Sequence, residues 1–494
     1  MWKNVLILLL ASALTGLLFI HFTEKPQHSI ASPPSAPPAQ SQASPAPPQQ
    51  TQTLPTPPDP APAPPQPPKP PSHPIAVLLQ EARANPALAG AAVGFSLLNS
   101  KGEVVLDENA TTAFIPASSL KTLTTATALE ILGPDFHFTT ELKSTTPIQS
   151  GILKGDLILV GGGDPMLKLD DLKAMAAELK TRGLMRVTGG VRADTTFFPG
   201  SLYGDFWNWG DIGNGYGSGV AGLNLNHNRY VVAFTAGPEV GSPAQILGIN
   251  LEVPGAIWNN EVTTGPEDSG DGAVIHGGEK TSEIFLRGTV PLGATKFKVQ
   301  GAVPDPARFA AHHLRAILIA AGIQVGDHPG TAPATRSLLK HDSPPLLKII
   351  TSIHATSDNH ETECVFRMLG IKAAKPSAEV ILEHWKTRGL DFTGLRMVDG
   401  CGLARADFTR PLDLARLQFF AGTGPQGPAY KASLLAKDGL IWKGGAMSGI
   451  RTFTGYAQSK SGEEYCYALM INHYTDGAVV SELSQAVMDA MMEQ

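Results

Sequence analysis

Proline decides where this chain can fold. Twenty of its 41 prolines lie between residues 26 and 74, interleaved with Ala, Gln and Ser. Such a tract lacks both the apolar side chains and the backbone donors that a packed core needs, so it reads as an extended spacer. At about 3.1 Å per residue its 49 residues reach at most roughly 150 Å. In front of it, residues 4–23 contain no Asp, Glu, Lys or Arg and are dominated by Leu, Ile, Val and Ala, with Lys3 before them and Glu24 behind. This segment is an export signal, an anchor helix, or both. The nearest thing to an A-x-A cleavage site is SIA at 29–31, and no cysteine is present for lipid attachment. A spacer makes most sense with something tethered at its far end. Residues 1–24 are therefore assigned as signal peptide or membrane anchor and 25–74 as linker, which places the folded part outside the cytoplasmic membrane.

The folded part carries few charges. Charged residues make up 17% of the chain, and its 38 Lys and Arg against 44 Asp and Glu leave a net charge of −6. Without a basic run there is no footprint for nucleic acid. Cys364, Cys401 and Cys466 form no CxxC pair, and an odd number cannot all pair internally, so they are read as buried thiols.

The pattern predicts a helix over 74–85 and a β-hairpin over 91–109 that turns at Asn99 to Gly102. The next stretch, FIPASSLKTLTTATALEIL, sets Ser118 and Lys121 at the start of an apolar helix. At i and i+3 the two side chains share a face, so the amine reaches the hydroxyl, as an activated nucleophile requires. A helix buried nearly all round would hold the pair rigidly and desolvate the lysine, lowering its pKa towards that of a base working at neutral pH. From about 136 to 340 the texture changes to short strands punctuated by Gly, Pro and Asn, with one helix near 306–321, so this part reads as β-rich modules. Helices are expected at 344–355, 359–370 and 411–421, strands in IWKGG, SGIRTFTGYAQ and EEYCYALMINHY, and a final amphipathic helix in VSELSQAVMDAMM.

Two later motifs complement the serine and lysine. Ser357-Asp358-Asn359 opens a helix, where a hydroxyl and a carboxamide can relay a proton and hold a substrate amide. Lys443-Gly444-Gly445 lies on a strand whose free N–H groups can stabilise an oxyanion. Each motif alone is common, SDN as an N-cap and KGG as a turn; the order SxxK, SxN, KxG is what carries weight.

With these motifs the chain resembles the D-alanyl-D-alanine carboxypeptidases/endopeptidases of peptidase family S13, the class C low-molecular-mass penicillin-binding proteins, from about residue 76 to the end. GDLILVGGGDPML, VAGLNLNHN, DPARFAAHHLRAILIAAGI, SPPLLKIITSIHATSDN and DGCGLAR carry the resemblance further. So does the separation of 239 positions from Ser118 to Ser357, which is much shorter in serine β-lactamases. The resemblance implies an α/β (α+β) fold of the β-lactamase/transpeptidase type: an antiparallel five-stranded sheet flanked by helices, a helical subdomain and β-rich inserted domains. The division it implies is core over 75–138 and 341–494 with insertions over 139–340.

Carried over by motif, Ser118 resembles the acylated nucleophile and Lys121 its base. Ser357 resembles the proton shuttle, Asn359 the amide-positioning residue and Lys443 the cation of the cleft strand, with the N–H groups of Ser118 and Ala446 forming the oxyanion hole. The implied partners are peptidoglycan peptides and, as covalent inhibitors, β-lactam antibiotics, with the membrane engaged through the N-terminal segment; the implied location is the bacterial periplasm or cell envelope. No cofactor and no metal are implied. GGGDP at 161–165 has a proline where a phosphate-binding helix would begin. His312, His313, His354 and His360 lack zinc-ligand spacing. Asp399 and Arg405 are expected to shape the cleft or a loop near it without acting in catalysis.

The family usually reads KTG followed by Ser or Thr, and those hydroxyls bind the substrate's terminal carboxylate. Here Gly444 and Ala446 stand in their place within the substrate-binding run Gly444, Gly445, Ala446. Each hydrogen bond to a charged group lost this way costs about 1.5–3 kcal/mol. The expectation is an enzyme that prefers cross-link cleavage or another wall peptide, or one whose activity is weakened. Two other readings are a wall-binding scaffold without catalysis and a β-lactamase; the long interval and the lack of a recognisable deacylating glutamate motif oppose the latter.

Overall fold

The computed structural model describes residues 73–494. The anchor and nearly all of the spacer expected in the first 72 residues lie outside the described residues. Among the described residues no helix is long and apolar enough to cross a membrane.

The structure is organised by one antiparallel sheet built from the two ends of the described chain. Strands β1 (Ala92–Leu98) and β2 (Val104–Glu108) come from the first end; β3 (Leu435–Lys437), β4 (Leu440–Met447), β5 (Ile450–Gln458) and β6 (Glu464–Asn472) come from the second. Their order is β3-β4-β5-β6-β1-β2, and Ala92 pairs with Asn472 where the two ends meet. Five of these are the expected strands, and three-residue β3 adds a sixth that pairs only with the first residues of β4. Beyond Trp442, therefore, β4 is an edge with no strand partner on its outer side among the described residues.

β6 reads as a continuous apolar run because both of its faces are covered. Cys466, Ala468 and Met470 enter one core and Tyr467, Leu469 and Ile471 the other, the alternation of period two that a strand imposes. The second core is closed by α1 (Pro74–Ala84), through Ile75 and Leu79, and by the chain's final helix, Gly477–Met492, through Val480 and Val487. The first is closed by a helical layer: α2 (Lys121–Ile131), α3 (Leu346–Thr356), α4 (Asn359–Ala373), Ser377–Thr387 and Pro411–Thr423. In α2 every residue from Lys121 to Leu129 is buried, as the apolar residues on its several sides lead one to expect.

The intervening region forms four small sheets around a separate core that contains Leu157, Leu159, Tyr230, Val232, Leu286 and Phe309. The expected helix is there as Pro306–Ala320, N-capped by Asp305. A second helix, Leu169–Thr181, corrects the reading of this stretch as strands and turns: Leu172, Met175, Ala176 and Leu179 are buried at the i, i+3, i+4, i+7 spacing of one helix face. Cys364, Cys401 and Cys466 are all buried free thiols.

Candidate active site

Ser118 lies in a 3-10 turn, Ala117–Leu120, that leads into α2, so the helix proper begins at Lys121. The turn is pinned to the sheet. Asn472 at the end of β6 accepts from the Ile115 N–H at 2.8 Å, and the Thr452 hydroxyl on β5 donates to the Pro116 carbonyl at 2.6 Å. Ala117, just before the serine, holds a positive φ of 47°, a strained state for a non-glycine residue that its surroundings must enforce. Part of that enforcement is Gly402, where a Cβ would collide with the Ala117 carbonyl.

Lys121 is fully buried. Its Nζ stands 2.9 Å from Ser118 Oγ, 2.6 Å from Asn359 Oδ1 and 2.7 Å from the Cys401 carbonyl oxygen. The last two partners can only accept, so they take up two amine hydrogens. A neutral amine then has its lone pair left for the Ser118 hydroxyl, the one partner of the three that can also donate. Burial lowers the lysine pKa, and the neighbouring Cys401, Asp399, Asp358 and Glu363 only partly oppose it. The arrangement can therefore take a proton from Ser118.

Ser357 caps α3 with left-handed backbone, φ 58°, and Asp358 N-caps α4 by accepting from the Glu361 N–H at 3.0 Å. The sharp turn between the two helices aims Ser357 and Asn359 into one cleft. Arg229, from the intervening region, grips Asp358 with two hydrogen bonds of 2.6 and 3.1 Å. Burial alone would raise the Asp358 pKa; Arg229 outweighs it and holds the carboxyl below its usual range. Asn359 donates its Nδ2 to the Tyr216 carbonyl at 2.9 Å.

Lys443 on β4 is buried, with Nζ 2.9 Å from Ser357 Oγ and 2.6 Å from the Gly444 carbonyl. Burial first, and then repulsion from Lys121, push its pKa well below 10.5. Gly445 lets the strand run hard against the Ser118 turn: a Cβ there would lie 2.7 Å from the Ser118 nitrogen and 2.9 Å from the Pro116 oxygen. Gly444 is different, because a Cβ would meet Phe453 at an ordinary 3.4 Å. Ala446 is exposed on the free edge.

Ser118, Lys121, Ser357, Asn359 and Lys443 thus converge, with Gly444, Gly445 and Ala446 along one wall. Sequence reasoning missed the backbone carbonyls of Cys401 and Tyr216, which have no side-chain signature. It also missed how Asp399 works. The Asp399 carboxylate accepts from the N–H groups of Cys401, Gly402 and Ala404 and from the Trp207 indole, shaping the loop that presents the Cys401 carbonyl to Lys121. The signal for such a loop was an aspartate followed by a Gly-rich run.

The chain is similar to several known proteins. The D-alanyl-D-alanine carboxypeptidase of an Actinomadura species is 29% identical over 419 residues, 77% of this chain and 77% of that protein. The D-alanyl-D-alanine carboxypeptidase DacB of Haemophilus influenzae is 26% identical over 432 residues, covering 80% of this chain and 88% of the relative. The crystal structure of penicillin binding protein 4 (dacB) from Haemophilus influenzae superimposes with a TM-score of 0.74 at 22% identity, over 83% of this chain and 98% of that one, so the fold is shared. The family model for D-Ala-D-Ala carboxypeptidase 3 (S13) matches residues 76–435, well over half of the sequence, and the chain belongs to that family of peptidases.

Proposed function

We propose that this chain is a serine peptidase of the bacterial cell envelope that cleaves D-Ala-D-Ala or cross-linked stem peptides of peptidoglycan through an acyl-enzyme on Ser118. The observation that carries the reading is the buried Lys121 amine within 2.9 Å of the Ser118 hydroxyl, with two acceptors occupying its other directions. Lys121 takes the serine proton as Oγ attacks the carbonyl of the penultimate D-alanine. The N–H groups of Ser118 and Ala446 receive the oxyanion. Ser357, kept in contact with Lys443, relays that proton from Lys121 to the departing amine, so that Ser357 stays a hydroxyl and Lys121 is neutral again; Asn359 orients the substrate amide, and water, giving a proton to Lys121, then releases the acyl group. β-Lactams acylate the same serine.

In this reading residues 75–138 and 341–494 form the catalytic core and 139–340 the insertion, a division supported by the joining of β1 and β6 and by Arg336–Asp342 pairing back onto Thr139–Ser144. The uncharged run at 4–23 and the proline spacer tether the core to the inner membrane on its outer side.

Incubation with a labelled penicillin is the test. An adduct on Ser118 that disappears in Ser118→Ala supports the reading, whereas an unlabelled wild-type protein favours the scaffold. Rapid release of the adduct would turn the assignment towards a β-lactamase.

A further inference from the structure

Gly444 and Ala446 lack the hydroxyls with which the family receives the substrate's terminal carboxylate, so that anion needs another partner. Antiparallel pairing sets Ala446 directly opposite Arg451 and Gly444 opposite Phe453, which puts all four residues on one face of the sheet. Opposed Cβ atoms lie about 4.5–5.5 Å apart, so an arginine side chain is long enough to cross above the Ala446 methyl to the free edge of β4. The guanidinium is supported on the way: its carbon sits 5.7 Å from the Phe453 ring centroid, and it donates to the Tyr474 hydroxyl. Burial lowers the Arg451 pKa, a mark of a cation partly stripped of water.

From this juxtaposition we infer that Arg451 forms the anion subsite of the cleft and receives the terminal carboxylate of the substrate peptide in place of the missing hydroxyls. The subsite takes a planar carboxylate, the group that a guanidinium binds through two parallel N–H donors. Because the small residues at 444 and 446 leave the approach open, the departure from the family motif and the arginine two strand positions from Phe453 form one device. The inference rests on the proposed peptidase reading.

The test compares kcat/KM for two peptides, one ending in D-Ala-D-Ala with a free carboxylate and one with that carboxylate converted to a primary amide. In the full chain, Arg451→Ala should cut the preference for the carboxylate peptide about 10- to 100-fold, and Arg451→Lys, which keeps the charge but not the fork, should lose part of it. Gly444→Thr added to Arg451→Ala should recover some preference by returning a hydroxyl. Equal losses on both peptides, or no loss on either, would overturn the inference. Labelled penicillin separates this failure from that of the broader reading: if wild-type Ser118 is not acylated, both fall, whereas acylation with an unchanged preference in Arg451→Ala removes only the subsite.

Discussion

The Trp207 indole N–H meets the Asp399 carboxylate at 2.9 Å. Through that bond the intervening region reaches the lysine beside Ser118, because the same carboxylate organises the loop whose Cys401 carbonyl accepts from Lys121. Trp207→Phe keeps an aromatic ring and removes one donor to a charged group, a loss of about 1.5–3 kcal/mol. The expected outcome is a folded protein with a rate of Ser118 acylation by labelled penicillin reduced about tenfold or more. Stopped-flow labelling measures it, and an unaltered rate would show that the loop keeps its shape without that bond.

Neighbouring glycines on β4 should respond in opposite ways. A Cβ at 445 would stand 2.5 Å from Thr452 Oγ1 and 2.7 Å from the Ser118 nitrogen, whereas one at 444 meets nothing closer than 3.4 Å. Gly445→Ala is expected to displace the strand from Ser118 and lower acylation by about 100-fold or more, the scale of a lost oxyanion donor. Gly444→Ala is expected to stay within a few-fold of wild type. The same labelling assay ranks the two, and the reverse ranking would contradict the strand's proposed place in the cleft.

The pH profile should report Lys121. Only its neutral amine can accept the serine proton, and burial lowers its pKa below 10.5. Acylation should therefore rise with pH and level off before the range of a free lysine. Lys121→Arg, charged throughout, should lose about 10²- to 10⁴-fold, the contribution of a positioned base. A wild-type rate that still climbs at pH values where free lysine titrates would exclude Lys121 as the base.

Two carboxyls behind the site bear on stability. Burial, and then the Asp399 charge, raise Asp407 from 3.8 to about 10; the same two causes raise Glu363 from 4.5 to about 7. Because the folded pKa values exceed the unfolded ones, the stabilisation from each group is complete below its unfolded pKa. It is lost as pH rises through the folded value, over 3.8 to about 10 for Asp407 and 4.5 to about 7 for Glu363. Asp407→Asn stays neutral and retains an oxygen for the Val398 N–H. Its melting temperature relative to wild type should climb from acidic to alkaline buffer, and a pH-independent difference in scanning calorimetry would refute the linkage.

What could be read in the sequence was whatever local spacing determines. Ser118 and Lys121 are one helical turn apart, Ser357 and Asn359 flank an N-cap, and Lys443 precedes the small residues of an edge strand; these relations pointed to the candidate site and to the helices around it. The 3-10 form of the Ser118 turn, the helix at Leu169–Thr181 and the two backbone acceptors were hidden for different reasons. The turn's geometry is imposed by contacts with β5, β6 and Gly402. The helix lies between strands in a stretch whose turn residues dominate its pattern. The Trp207–Asp399 bond joins residues 192 positions apart, and no periodicity records such a distance.

The Ile115–Asn472 hydrogen bond spans 357 positions. While the chain is being made, the segment bearing Ser118 is synthesised long before the strand against which it is shaped. Long-range closure of this kind is slow and comes late in folding. The serine thus has no rigid backing until nearly the last strand is in place, and a chain cut short before β6 would carry Ser118, Lys121 and the SDN turn without the frame that brings them together.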